Sequence, residues 1–217
     1  SDPILIMAGN ESSEMMPVGL ERHVAPPGER GAIYGTRNPE NLALLKESGA
    51  VVLVAHTEGY TATTLAEEAF DGFEMYNLHA NLFLNMGLAL DLLLNLDEPG
   101  FPHPDLIFLR LLTEDPLYMD TWSKTLAKGV RRVTTMGTDC HRNTFPGILS
   151  DGERVDSYRR MMAWFSNHLL IKPDADGSYT DRHLKEALGE GRLYGAFEVM
   201  GIPHGFDFHL QASIAII

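Results

Sequence analysis

Val51-Val-Leu-Val-Ala55 is an unbroken apolar run that ends at a histidine. A strand that is apolar on both faces has to be covered on both, as happens inside a parallel sheet with helices packed over it. The flanking segments read as such helices. Asn38 is a natural N-cap, Pro39 sits at the first helical position, Leu42, Leu44 and Leu45 supply an apolar face, and Gly49 stops the helix. The alternation continues along the chain. Gly72–Asn77 reads as a strand with Glu74 and Tyr76 on one face, and Leu82–Leu96 as a buried helix. Helices over Asp105–Thr113 and Tyr118–Lys128 precede a strand at Val133–Met136, and Asp156–Ser166 reads as a helix before a strand at His168–Ile171. A helix over Thr180–Leu188 and a strand over Leu193–Val199 close the pattern, and Ile4–Ala8 opens it as a strand. This is the signature of a parallel α/β architecture. Residues 1–200 are expected to form one domain, with 201–217 an extension in which Phe206–Leu210 starts a β-rich appendage.

A chain of 217 residues with 44% hydrophobic and 22% charged residues can bury a real core without disulfides, and its lone Cys140 excludes an intrachain bridge. No apolar run reaches the length of about eighteen residues that suggests a membrane span. The net charge of −13 argues against nucleic acid and against an anionic membrane as partners, since both are held by clustered Lys and Arg. A small-molecule substrate, drawn in by local positive charge such as a bound metal ion, suits an acidic surface better.

The strand tips carry the chemistry. Gly137-Thr138-Asp139-Cys140-His141 follows the Val133–Met136 run, and strand alternation places Asp139 and His141 on one face with Cys140 pointing away. Taken alone, Asp-x-His fits a polar turn as well as a ligand pair. About six strand tips are readable, and three of them end in Glu11, in His56 and in the Asp139/His141 pair. His23 lies in irregular chain before Ala25-Pro26-Pro27-Gly28, where functional side chains concentrate and where lone polar histidines are also common. Asn77 and His79 sit near the same presumed pocket as candidates to orient substrate, His79 equally as a helix cap, and Arg142 is a candidate contact for an anionic substrate or a partner in a surface ion pair. Asp207 and His209 repeat the spacing beyond the last strand.

Carboxylate and imidazole donors without thiolate suit zinc, manganese or iron, and calcium is disfavoured because it prefers oxygen ligands. Such ions at a strand tip point to hydrolysis.

The ordered set Gly9-Asn10-Glu11, Val54-Ala55-His56, Asp71-Gly-Phe-Glu-Met-Tyr-Asn77 and Gly137-Thr-Asp-Cys-His141 resembles the PHP (polymerase and histidinol phosphatase) superfamily. The likeness runs from about residue 4 to about residue 199. Trp164–His168, Gly195–Gly201 and Gly205–His209 resemble its branch of PHP-like metal-dependent phosphoesterases, to which a carbamate-ester hydrolase is also similar. The resemblance implies a distorted (β/α)₇ TIM-like barrel that binds two or three divalent metal ions at the C-terminal ends of its strands. It puts Glu11, His23, His56, Asp139 and His141 on metal-ligand positions, with Glu11 bridging two ions and Glu11, Asp139 and His141 at the catalytic centre. The family's first two motifs, a His-x-His strand and a tip carrying Asp-His, would precede Ile4, so the expected barrel lacks its first strand or strands in this chain and its amino end reads as incomplete.

The implied activity is that of a metal-dependent hydrolase acting on a small-molecule phosphoester through a metal-activated hydroxide. Two rivals stand beside it: a carboxylic or carbamic ester or amide hydrolase on the same site, and a non-catalytic binding module.

Overall fold

The computed structural model describes residues 4–95, 103–143 and 145–205. Two small sheets organise them. The first has four strands in the order β1 (Met15–Val18), β2 (Val51–Val54), β3 (Gly72–Asn77) and β4 (Val133–Gly137). β2, β3 and β4 run parallel, and β1 is antiparallel at the edge beside β2. The second sheet is an antiparallel pair, β5 (Ser166–Leu169) and β6 (Leu193–Ala196).

The expected (β/α)₇ barrel is not what the described residues form, and two local features explain the open sheet. At one edge, Ile4–Ala8 is not a strand. Residues 9–12 instead fold back on 15–18 through a two-residue hairpin, with Gly9 bridging Val18 and Ser12 bridging Met15. Ser13 and Glu14 both adopt positive φ, 49° and 64°, as tight hairpins demand. Pro17, which lacks an N–H to donate, is tolerated in β1 because β1 is an edge strand. At the other edge, β4 meets a side chain where a barrel would continue its ladder. Asn167 Oδ1 accepts from Met136 N at 2.9 Å and its Nδ2 donates to Met136 O at 2.8 Å, so an amide side chain imitates the next strand's peptide and ends the sheet.

The helices follow their capping signals. Helix α1 spans Arg30–Tyr34, and α2, Pro39–Glu47, begins at Asn38, whose Oδ1 accepts from Asn41 N at 2.8 Å. Leu42 and Leu45 of α2 are buried and Leu44 faces out. Helix α3, Ala62–Glu67, precedes β3. The Leu-rich segment is two helices broken at Asn85, α4 (Leu78–Leu84) and α5 (Met86–Leu94). The expectation of a buried helix fails there: Leu82, Ala89 and Leu92 are buried, and Phe83, Leu84, Met86, Leu90 and Leu94 are exposed. Pro104–Leu111 is a 3₁₀ turn, and α6 spans Pro116–Leu126. The helix read over Asp156–Ser166 is only the single turn α7, Tyr158–Met162, with Met161 buried and Tyr158 and Met162 exposed. Helix α8 spans Asp181–Gly189. The expected strand at 206–210, with the Asp207/His209 pair, lies outside the described residues.

Sheet alternation divides the core. Met15, Val52, Val54 and Phe73 pack with Leu42, Leu45 and Leu65 on one face. Val51, Leu53 and Val133 pack with Leu188, Leu169 and Leu193 on the other. A third cluster joins Leu78, Leu82 and Leu92 to Phe108, Phe145, Trp164 and Phe165. Among the described residues no helix is long and apolar enough to cross a membrane.

Candidate metal centre

Three parallel strands deliver their C-terminal ends to one rim, the position where open α/β sheets bind ligands. His56 follows β2, His79 stands in the first turn of α4 directly after β3, and Asp139 and His141 follow β4. Because β1 is antiparallel to β2 with Met15 opposite Val54, the hairpin that precedes it rises at the same rim and brings Glu11 there. His56 and Asp139 both have left-handed backbones, with φ of 54° and 48°. A left-handed non-glycine residue costs about 1 kcal/mol or more, and such strain gathers at functional sites.

Asp139 is the hub. Its Oδ2 lies 2.7 Å from His79 Nδ1 and 3.8 Å from His56 Nε2, and its Oδ1 lies 3.7 Å from His141 Nε2. His141 Nε2 is 3.3 Å from His79 Nδ1, and the two rings meet edge to face. His141 Nδ1 is paired with the Asn143 side chain. His56 Nε2 reaches Glu11 Oε1 at 3.3 Å, and its Nδ1 faces Glu58 Oε1 at 3.7 Å. His79, Asp139 and His141 each offer a ligand atom, all within 4.8 Å of one another. One carboxylate converging with two imidazoles is the donor chemistry that zinc and iron take in sites with open coordination positions. The residues present therefore fit a first-row divalent ion.

The electrostatics follow from this crowding. The hydrogen bond to His79 holds the Asp139 carboxyl below the usual carboxylate range against its partial burial, and the His79, His56 and His141 imidazoles add to it. Burial pulls His56 down, yet the carboxylates of Asp139, Glu58, Glu74 and Glu11 together raise it. Beneath them Glu74 is 3% exposed, and burial pushes its carboxyl up to about 7 although hydrogen bonds from Asn77 and from the His56 backbone oppose the shift.

Of the residues singled out from the sequence, Glu11, His56, Asp139 and His141 come together at this rim. His79, expected to orient substrate, stands among the ligand-capable groups. Asn77, expected to touch substrate, is buried and works from below: its Oδ1 caps α4 by accepting from Ala80 N at 2.9 Å, and its Nδ2 donates to Glu74 Oε2 at 2.9 Å. His23 stands outside the three-residue group. It lines, with Glu11, Arg22, Arg30 and Tyr34, an open cleft of about 630 Å³. Arg142 is exposed, and its carbonyl accepts from Arg154 Nη2 at 3.1 Å. Sequence reading missed the roles of Glu74 and Glu58. For Glu74 the usable signal was a carboxylate in the middle of a buried parallel strand, and Glu58, in the turn after His56, carried none.

No family model matches the chain, and neither the curated proteins nor the solved structures give a match.

Proposed function

We propose that the protein is a metal-dependent hydrolase of small-molecule phosphoesters. The observation that carries this reading is the convergence of His79, Asp139 and His141 at the C-terminal ends of neighbouring parallel strands. These three would hold one zinc, manganese or iron ion, and His56 with Glu11 would hold a second beside Asp139. The chemistry such ions supply is Lewis acidity, which acidifies a water and withdraws charge from a leaving oxygen. The protein's own groups do the rest. Asp139 orients the imidazoles around it, and the cleft that Glu11 shares with His23, Arg22 and Arg30 offers room for a small substrate beside the site. The resemblance of the motif order to the PHP superfamily supports the same chemistry independently of sheet closure.

The test is hydrolysis of an aryl phosphate and an aryl ester, side by side, with added Mn²⁺, Zn²⁺ or Fe²⁺ and with metal content measured. Metal-dependent turnover of the phosphate, lost in Asp139→Ala, is expected. Faster cleavage of the ester assigns the site to carboxylic or carbamic esters instead. A protein that takes up no metal and whose behaviour is indifferent to His56→Ala is a binding module, not an enzyme of this kind.

A further inference from the structure

We infer that Glu74 is a positioning residue that sets three strand tips relative to one another for the metal group, an inference that rests on the reading above. The observation is a single carboxylate at the junction of β2, β3 and β4. Its Oε2 accepts from the His56 backbone N–H at 3.3 Å, and so ties down the left-handed residue at the end of β2. The same oxygen accepts from Asn77 Nδ2 at 2.9 Å, and Asn77 in turn caps α4, whose first turn carries His79. The Glu74 backbone carbonyl also accepts from Thr57 Oγ1 at 2.5 Å, a tie from β3 to the chain just past His56 that does not depend on the carboxylate. On the third side, β4 makes room for it. A Cβ built at Gly137 would lie 1.7 Å from Glu74 Oε1, so any larger residue two places before Asp139 would have to displace the carboxylate. One side chain thus gauges the spacing of the segments that bear His56, His79 and Asp139.

A buried acid is a poor stabiliser, since an apolar side chain of similar volume fills a sheet interior without the cost of desolvating a polar group. Its effect is therefore separable from folding. The experiment uses the full chain with Glu74→Gln, which keeps an acceptor oxygen and the shape, and Glu74→Leu, which keeps only the volume. Three quantities are read: the imidazole ¹H–¹⁵N resonances of His56 and His79 in chelator-treated protein, the affinity for Co²⁺ by visible absorption, and thermal melting. Glu74→Gln is expected to leave the resonances in place and to bind Co²⁺ within about threefold of the parent. Glu74→Leu is expected to stay folded, to move both sets of resonances, and to lose roughly ten- to a hundredfold in Co²⁺ affinity, the range seen when a residue supporting a metal ligand is removed.

Unmoved resonances with parental Co²⁺ affinity in folded Glu74→Leu would overturn the inference. Equal loss in both variants would overturn it too, because charge and not geometry would then be at work. Should Glu74→Leu fail to fold, Asn77→Ala decides: the inference requires the His79 resonances to move while those of His56 hold. If the parent itself takes up no Co²⁺, the proposed function fails, and the resonances of the metal-free variants still answer whether Glu74 sets the imidazoles.

Discussion

The Oδ2 atom of Asp139 lies 2.7 Å from Nδ1 of His79, a contact between residues 60 apart in sequence that joins the loop after β4 to the first turn of α4. The side chain of Asp139 is only 16% exposed, so solvent screens this hydrogen bond little. A charge-assisted bond of this kind contributes about 1.5 kcal/mol or more. A double-mutant cycle with Asp139→Asn and His79→Gln, measured by urea denaturation in chelator, is expected to return a coupling of about that size. Additive losses would mean that the two side chains do not interact in solution.

Tyr76 packs edge-on against Phe165 and Phe197, with ring centroids at 5.6 and 5.2 Å. Burial pushes its phenol up to about 12, and the neighbouring Asn81 amide opposes the shift only in part. The unfolded chain ionises this group near pH 10, so its contribution is fully present below that pH and is lost as pH rises from about 10 to about 12. The loss amounts to about 2 to 3 kcal/mol across the window. Alkaline melting curves of Tyr76→Phe should lack that part of the decline, and an unchanged slope would refute the assignment. Tyr118, raised in the same direction by burial, supplies a separate contribution that both proteins keep.

Asp156 is completely buried behind the loop that follows His141. Its Oδ2 accepts from Phe145 N at 2.8 Å, and Arg154 grips the carboxylate through Nε at 2.7 Å and Nη2 at 2.9 Å. The same Arg154 Nη2 reaches the Arg142 carbonyl, so the carboxylate anchors the chain leaving the site. Removing the carboxylate leaves the buried Phe145 N–H without its acceptor, and Asp156→Ala is expected to cost about 1 to 3 kcal/mol. Hydrogen exchange should rise over residues 142–155 at the same time. Loss of stability with unaltered exchange in that loop would separate the anchor from the site.

Helix α5 offers an internal contrast. Leu92 is 5% exposed and Leu90 is 57% exposed, two residues apart on one helix. Leu92→Ala is expected to cost about 2 to 5 kcal/mol, the range for emptying a packed position. Leu90→Glu should shift stability by no more than about 0.5 kcal/mol, as surface substitutions usually do. Chemical denaturation of the two variants checks both, and a large loss in Leu90→Glu would mean that this face is covered in solution.

Local rules carried much of the fold. The apolar run at Val51 became a strand buried along its whole length, and the Asn38-Pro39 cap placed α2 where the sequence put it. What escaped was set by less local terms. The hairpin at Ser13-Glu14 uses two non-glycine residues at positive φ, so no Asn-Gly or Gly-Gly signal announced it. In Met86–Leu94 leucine occupies every side of the helix, and periodicity cannot distinguish a buried face from an open one. Sheet closure is a property of all strands at once, and the Asn167 amide that ends the sheet at β4 leaves no mark in a pattern of polar and apolar residues. At the candidate site, Asp139 and His141 were readable because a strand ran straight into them. His79 was placed nearby with a different task, since its part depends on Asn77 starting a helix where it does.

The hairpin before β1 has a further meaning. Side chains alternate across a strand with a period of two, so the distance in residues from the turn to Glu11 decides which way that carboxylate points. The turn at Ser13-Glu14 acts as a length gauge: one inserted residue would turn Glu11 to the far side of the bridged arm and away from His56, while an inserted pair would restore its direction. At this place parity, more than the identity of the added residues, governs what the chain tolerates.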